Sequence, residues 1–154
     1  MTDSDDREPL YEAKFTVSKV TDFGVNLDVL REGSLEIPDG GLHFDMTFDG
    51  HIQGERLSGS VRGVDHVHVR SDGSIALHIH GVISTPEGAR IALSADGTSI
   101  MDDNTGRLEV DQEVSLYSSF SDYQWVNGLP IHCVGHLLPG EDVVRLSAFT
   151  KTQR

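Results

Sequence analysis

Apolar and polar residues alternate with a period of two over much of the chain. Tyr11, Ala13, Phe15 and Val17 share one parity, with Glu12, Lys14, Thr16 and Ser18 on the other, as in a strand with one buried face. The same period runs through Phe23 to Val29, Leu42 to Phe48, Ala89 to Leu93 and Leu108 to Leu116. No segment carries the three-and-four spacing of a helix longer than a few turns. Between the runs stand Asp39-Gly40, Asp49-Gly50, Asp72-Gly73 and Asp96-Gly97, pairs suited to hairpin turns because glycine reaches positive φ freely. The pattern predicts an all-β domain of roughly nine or ten short strands, closed as an antiparallel barrel or folded as a sandwich so that no edge stays open. Residues 1–8 and 151–154 are polar and are expected to fray, which leaves 9–150 as a single domain.

The most informative stretch is Val64 to His80, two alternating runs around Asp72-Gly73. A three-residue loop, Ser71 to Gly73, pairs Val69 with Ile75, Val67 with Leu77 and His66 with His78. A two-residue loop mixes the faces, so the burial pattern selects the longer one. One face then carries Val67, Val69, Ile75, Leu77 and Ile79, and the other His66, His68, His78 and His80. Paired and diagonal side chains on such a face lie about 5–8 Å apart. The imidazole face has three readings: a solvated outer wall, a functional lumen, or a divalent-metal site on His66, His68, His78 and His80. Imidazole titrates near neutrality, so a lumenal cluster would suit proton shuttling without a cofactor. His132 and His136 share a parity and are candidates for the same interior, whereas His43 and His51 read as surface residues.

Charge and cysteine content narrow the partners. Twelve Lys and Arg against 25 Asp and Glu give a net charge of −13, which repels phosphate backbones and anionic membranes. Cys133 is the one cysteine, so an intrachain disulfide and a Cys-rich metal site are excluded, and its flanks predict a buried, inert thiol. The acidic N-terminus has no signal-peptide pattern and no apolar run reaches membrane-span length, so a reduced cytoplasmic protein is expected.

Several segments resemble a family of small bacterial and fungal proteins, the DUF3237 or UPF0311 group. They are Pro9-Leu10-Tyr11, Asp22-Phe23-Gly24, Gly50 to Gly59, Gly63-Val64-Asp65, Arg70 to Gly73, Thr85 to Ala89, and Tyr123-Gln124-Trp125-Val126-Asn127 followed by Gly135. The resemblance implies a closed β-barrel shaped like allene oxide cyclase, dirigent proteins and the spirotetronate cyclases, with a central cavity for a small apolar molecule and frequent homo-oligomers such as dimers. It implies no general reaction. His66, His78 and His80 depart from the family pattern.

Together these features lead to an expected acid–base enzyme of isomerase, cyclase or lactone-opening type, acting on a largely apolar carbonyl-bearing metabolite in the barrel. His66 or His78 would serve as base and His68 or His80 as acid. Tyr123 and Asn127 would polarise the carbonyl, and Trp125, Asp65, His132 and His136 would line the substrate site. A hydrophobic-ligand carrier and a His-ligated metal enzyme are the alternatives.

Overall fold

The structure is a computed structural model describing residues 7–33, 36–138 and 140–151. Its strands are β1 (Arg7–Asp22), β2 (Leu42–Gln53), β3 (Gly59–Val69), β4 (Ile75–Ser84), β5 (Arg90–Met101), β6 (Leu108–Tyr117), β7 (Ile131–Leu137) and β8 (Val143–Lys151). They form one closed barrel in chain order, every pair antiparallel, with β1 bonded to both β2 and β8. A walk across paired residues leaves β2 at Leu42 and passes Val69, Ile75, Ser99, Val110, Gly135, Leu146 and Ala13. It returns to β2 at Ile52. That stagger is the strand tilt that closure requires. Among the described residues no helix is long and apolar enough to cross a membrane.

There are eight strands where shorter and more numerous ones were expected, because two of the four Asp-Gly pairs are not turns. Asp49-Gly50 lies inside β2 and Asp96-Gly97 inside β5. Both glycines face inward where a neighbouring strand runs close. A Cβ on Gly50 would collide with the Lys14 carbonyl oxygen and lie 2.9 Å from Phe15 Cα, and one on Gly97 would collide with the Asp111 carbonyl oxygen and lie 2.6 Å from Gln112 Cβ. Asp72-Gly73 is the turn expected, with Gly73 at φ +89° and its amide donating to the Arg70 carbonyl. The run Phe23 to Val29 is not a strand either. After Gly24, at φ +126°, the chain bends into a five-residue helix, α1 (Leu27–Arg31), whose Asn26 cap accepts from the Asp28 amide at 2.7 Å. Arg7 and Glu8, expected to fray, pair with Lys151 and Thr150; residues 1–6 and 152–154 lie outside the described residues.

Among the described residues, apolar side chains occupy the lumen. Phe15 and Phe48, with ring centroids 5.0 Å apart, pack with Ile52, Val61, Ile79, Ile83, Ile91, Leu93, Val114, Leu116, Ile131 and Leu146 in the larger core. A second cluster, Leu42, Phe44, Val67 and Val69, is covered by Val25, Leu27, Leu30 and Ile37, so α1 and its flanks plug that end. Cys133 is fully buried and its thiol is pushed up to about 12, chiefly by desolvation, which makes it unreactive as expected.

Two polar side chains enter this interior with one oxygen each unpaired among the described residues. Asp65 Oδ1 and Gln112 Oε1 are buried and accept no hydrogen bond among the described residues. Burial raises the Asp65 carboxyl from 3.8 to about 7, partly offset by the His78 backbone amide and, when those rings are protonated, by His66 and His78. Asp65, expected to line a substrate site, is thus a lumenal carboxyl whose protonated form is favoured by its apolar surroundings.

Two predictions follow from this interior. Gly97→Asn should cost about 1–3 kcal/mol in urea denaturation through overpacking, whereas Gly73→Asn, with nothing within 4 Å, should cost less than about 1 kcal/mol. Equal small costs would mean that Gly97 occupies a turn. For Asp65, a folded-state pKa above the unfolded value means that its contribution to stability is full below about pH 4 and declines as pH rises towards 7. Asp65→Asn should abolish that decline and leave the protein more stable than wild type above pH 7 by on the order of 2–4 kcal/mol. Parallel pH profiles for the two proteins, measured by thermal melting, would refute the assignment.

Candidate functional site

The β3–β4 register is the one that the burial pattern selects: Val69 with Ile75, Val67 with Leu77, His66 with His78. The five aliphatic residues share one face and the four histidines the other, as expected, but the hairpin is turned with its aliphatic face inward, Asp65 included. Val67, Val69 and Ile79 are buried, while the His66 and His78 side chains are 40 % and 50 % exposed. The lumenal reading of the histidines is therefore corrected: they stand on the outer wall. The physical reason is the core itself, since eight strands close around apolar side chains and no imidazole competes with valine or isoleucine for that space.

On the outer wall β2 and β5 complete what the hairpin begins. Asp45, His66, His78 and Asp96 are successive pairing partners across β2, β3, β4 and β5. The row reads carboxylate, imidazole, imidazole, carboxylate. Asp45 Oδ1 lies 2.7 Å from His66 Nδ1 and 2.8 Å from His43 Nε2, and Asp96 Oδ1 lies 2.5 Å from His78 Nδ1. His80 Nε2 is 2.9 Å from His78 Nε2. The ring centroids of His66 and His78 are 6.3 Å apart, and those of His43 and His66 are 6.2 Å apart. The hydrogen bonds from His66 and then His43 hold the Asp45 carboxyl below its ordinary range. His68 stands beside His43, 6.4 Å between centroids, and against Gly41, where an added Cβ would lie 2.7 Å from its Nε2.

His43, Asp45 and Asp96 are the members that sequence reasoning missed. His43 and Asp45 share a parity on β2, but the irregular loop between β2 and β3 hides the register that sets them opposite His68 and His66. Asp96 was concealed by its reading as a turn.

The remaining expected residues lie elsewhere. His132 faces outward on β7 and bonds Asp111 at 2.8 Å, and His136 lines an open depression of about 530 Å³ on the outer wall with Ile100, Glu109 and Asp111. His51, expected at the surface, lines a second outer depression. Tyr123 and Trp125 belong to a 3-10 helix, Ser121–Val126, not to a strand, so the shared parity that aimed them with Asn127 into one cavity does not exist. The Tyr123 hydroxyl donates to Glu87 at 2.6 Å, and that hydrogen bond raises its pKa. Trp125 lies beneath the Arg56 guanidinium at 3.9 Å. Asn127 clamps Ser118, accepting from its amide and donating to its carbonyl, each at 2.8 Å. These contacts tie the β6–β7 connection to Glu87, Arg56 and Ser118.

Likeness to known proteins agrees with the architecture. The chain superimposes on a crystal structure of a protein of unknown function from Clostridium acetobutylicum with a TM-score of 0.78, at 20% identity over 95% of this chain and 99% of that one. A β-barrel-like protein from Acinetobacter baumannii matches with a TM-score of 0.75, at 20% identity over 95% of each chain. An enzyme from Penicillium herquei matches with a TM-score of 0.62, at 20% identity over 93% of this chain and 92% of that one. No curated protein matches the chain in sequence. The family model for the proteins of unknown function DUF3237 matches residues 15–150, so the chain belongs to that family, as its motifs led us to expect.

Proposed function

We propose that this protein is an acid–base enzyme acting at its outer wall on a small, neutral, carbonyl-bearing compound, with Asp96, His78 and His80 as a proton relay. The observation that carries the reading is the continuous chain Asp96 Oδ1, His78 Nδ1, His78 Nε2, His80 Nε2. With both rings neutral, only one arrangement of protons satisfies it. His78 donates from Nδ1 to the carboxylate, its Nε2 accepts from His80 Nε2, and His80 Nδ1 is left as the unprotonated base. A proton taken from substrate at His80 Nδ1 is relayed from His80 Nε2 to His78 Nε2. The positive charge then rests on His78, beside Asp96, as in other carboxylate-oriented imidazoles. Reversal returns the proton to another substrate atom, the balance of an isomerisation, a cyclisation or a lactone opening.

Electrostatics favour a neutral substrate, because Asp45, Asp96 and the net charge of −13 repel anions. Val64, which pairs with His80, offers an apolar neighbour on the same wall. The Penicillium herquei neighbour described as an enzyme is consistent with catalysis on this fold. A carrier role has less support, since the lumen is occupied by core side chains.

A nitrobenzisoxazole, whose ring opens when a base removes one carbon-bound proton, is a suitable probe. The protein should open it faster than free imidazole at equal concentration. His80→Gln and His78→Gln should each lower that rate by about 10²-fold, and Asp96→Asn should lower it by a smaller factor. Opening no faster than with free imidazole, or rates unchanged in all three variants, would exclude the relay.

A further inference from the structure

The other end of the polar row has a different geometry. At the His78 end each nitrogen in the relay meets one partner, but at Asp45 one carboxylate oxygen faces two imidazole nitrogens, His43 Nε2 at 2.8 Å and His66 Nδ1 at 2.7 Å. One donor atom from each of the three residues lies within 4.8 Å of the other two. We propose that His43, Asp45 and His66 form a binding site for one divalent transition-metal ion of the zinc, cobalt or nickel class.

The donor set selects the class, since two imidazoles favour these ions over calcium and magnesium, which prefer all-oxygen sites. The two hydrogen-bonded spacings require little rearrangement, and all three donors already lie within 4.8 Å of one another. Metal–ligand bonds of about 2.0–2.1 Å at tetrahedral angles put donors about 3.3 Å apart, so the present hydrogen-bonded separations need open by only about half an ångström. Without a metal the two contacts are N–H donations to Asp45. Metal entry displaces both: each imidazole binds as the neutral tautomer with its N–H on the other ring nitrogen, so a neutral ring moves its proton there through solvent and a cationic ring releases one proton to solvent, leaving each lone pair on the ion. The three ligands come from β2 and β3, whose pairing of Asp45 with His66 and His43 with His68 fixes their backbones.

Side-chain exposures of 39 % for His43, 40 % for His66 and 30 % for Asp45 leave room for water or a substrate oxygen to complete the coordination. An ion there would sit one strand from His78, on the same face as the relay. Binding does not depend on that relay and is measured without turnover.

The test is isothermal titration of chelator-treated full-length protein with Zn²⁺, together with the visible spectrum of the Co²⁺ form and proton NMR of the imidazole Cε1–H signals. One equivalent of Zn²⁺ should bind with micromolar or lower Kd, Co²⁺ should give the absorption of a low-coordinate site, and the signals of His43 and His66 should move while that of His132 does not. His43→Ala, Asp45→Asn and His66→Ala should each weaken binding at least about tenfold, and His132→Gln should leave it unchanged. No binding up to about 1 mM Zn²⁺, equal weakening by His132→Gln, or movement of the His132 signal in place of His43 and His66 would overturn the site. The NMR readout decides the matter even if one variant fails to fold.

Discussion

Closure of the sheet around an aliphatic interior is the constraint on which everything else in this molecule depends. In a closed barrel each strand has one face inside and one outside, with no edge at which a mixed face could be tolerated. Once Val67, Val69, Leu77 and Ile79 are committed to the interior, the alternation sends His66, His68, His78 and His80 outward together. The inward glycines at positions 50 and 97 belong to the same constraint, since neighbouring strands approach too closely there for any side chain.

The outer wall turns that constraint into chemistry. Antiparallel pairing sets one residue from each of four strands in a transverse row, so groups far apart in sequence become neighbours about 5 Å apart. Asp45 and Asp96 stand at the two ends of the row and orient the imidazoles between them, each accepting from Nδ1 of its neighbour. The ends then differ: His43 adds a second imidazole to Asp45, whereas His80 extends the chain from His78 through an Nε2 contact. On the proposed reading, one end would hold a cation and the other pass a proton. Asp65, one residue before His66, faces the opposite way and pays the cost of burial, so neighbouring residues on one strand live in unlike dielectric surroundings.

Much of this was legible in the sequence because a period of two is robust to error. The strands around Phe15, Phe44 and Ile91 and the β3–β4 register, down to the His66–His78 pair, follow from which residues tolerate burial. Alternation is silent about which face is the inside, and both orientations of the hairpin satisfied it. Only the total of apolar residues competing for the lumen decides, and that sum extends over all eight strands. Turn chemistry misled where glycine served close approach instead of positive φ, which hid Asp96 within β5. The β2–β3 register, set by long-range pairing across an irregular loop, hid His43 and Asp45. Tyr123, Trp125 and Asn127 show the opposite limit: a period of two over five residues is too short to exclude a 3-10 turn.

The orientation of the hairpin is open to direct measurement with a soluble, inert gadolinium chelate that broadens the NMR signals of groups near solvent. The imidazole Cε1–H signals of His66, His78 and His80 should broaden strongly, while the methyl signals of Val67, Ile79 and Ile83 stay sharp. Protected imidazoles with broadened aliphatic methyls would mean that the hairpin is turned the other way, and the outer-wall row would not exist.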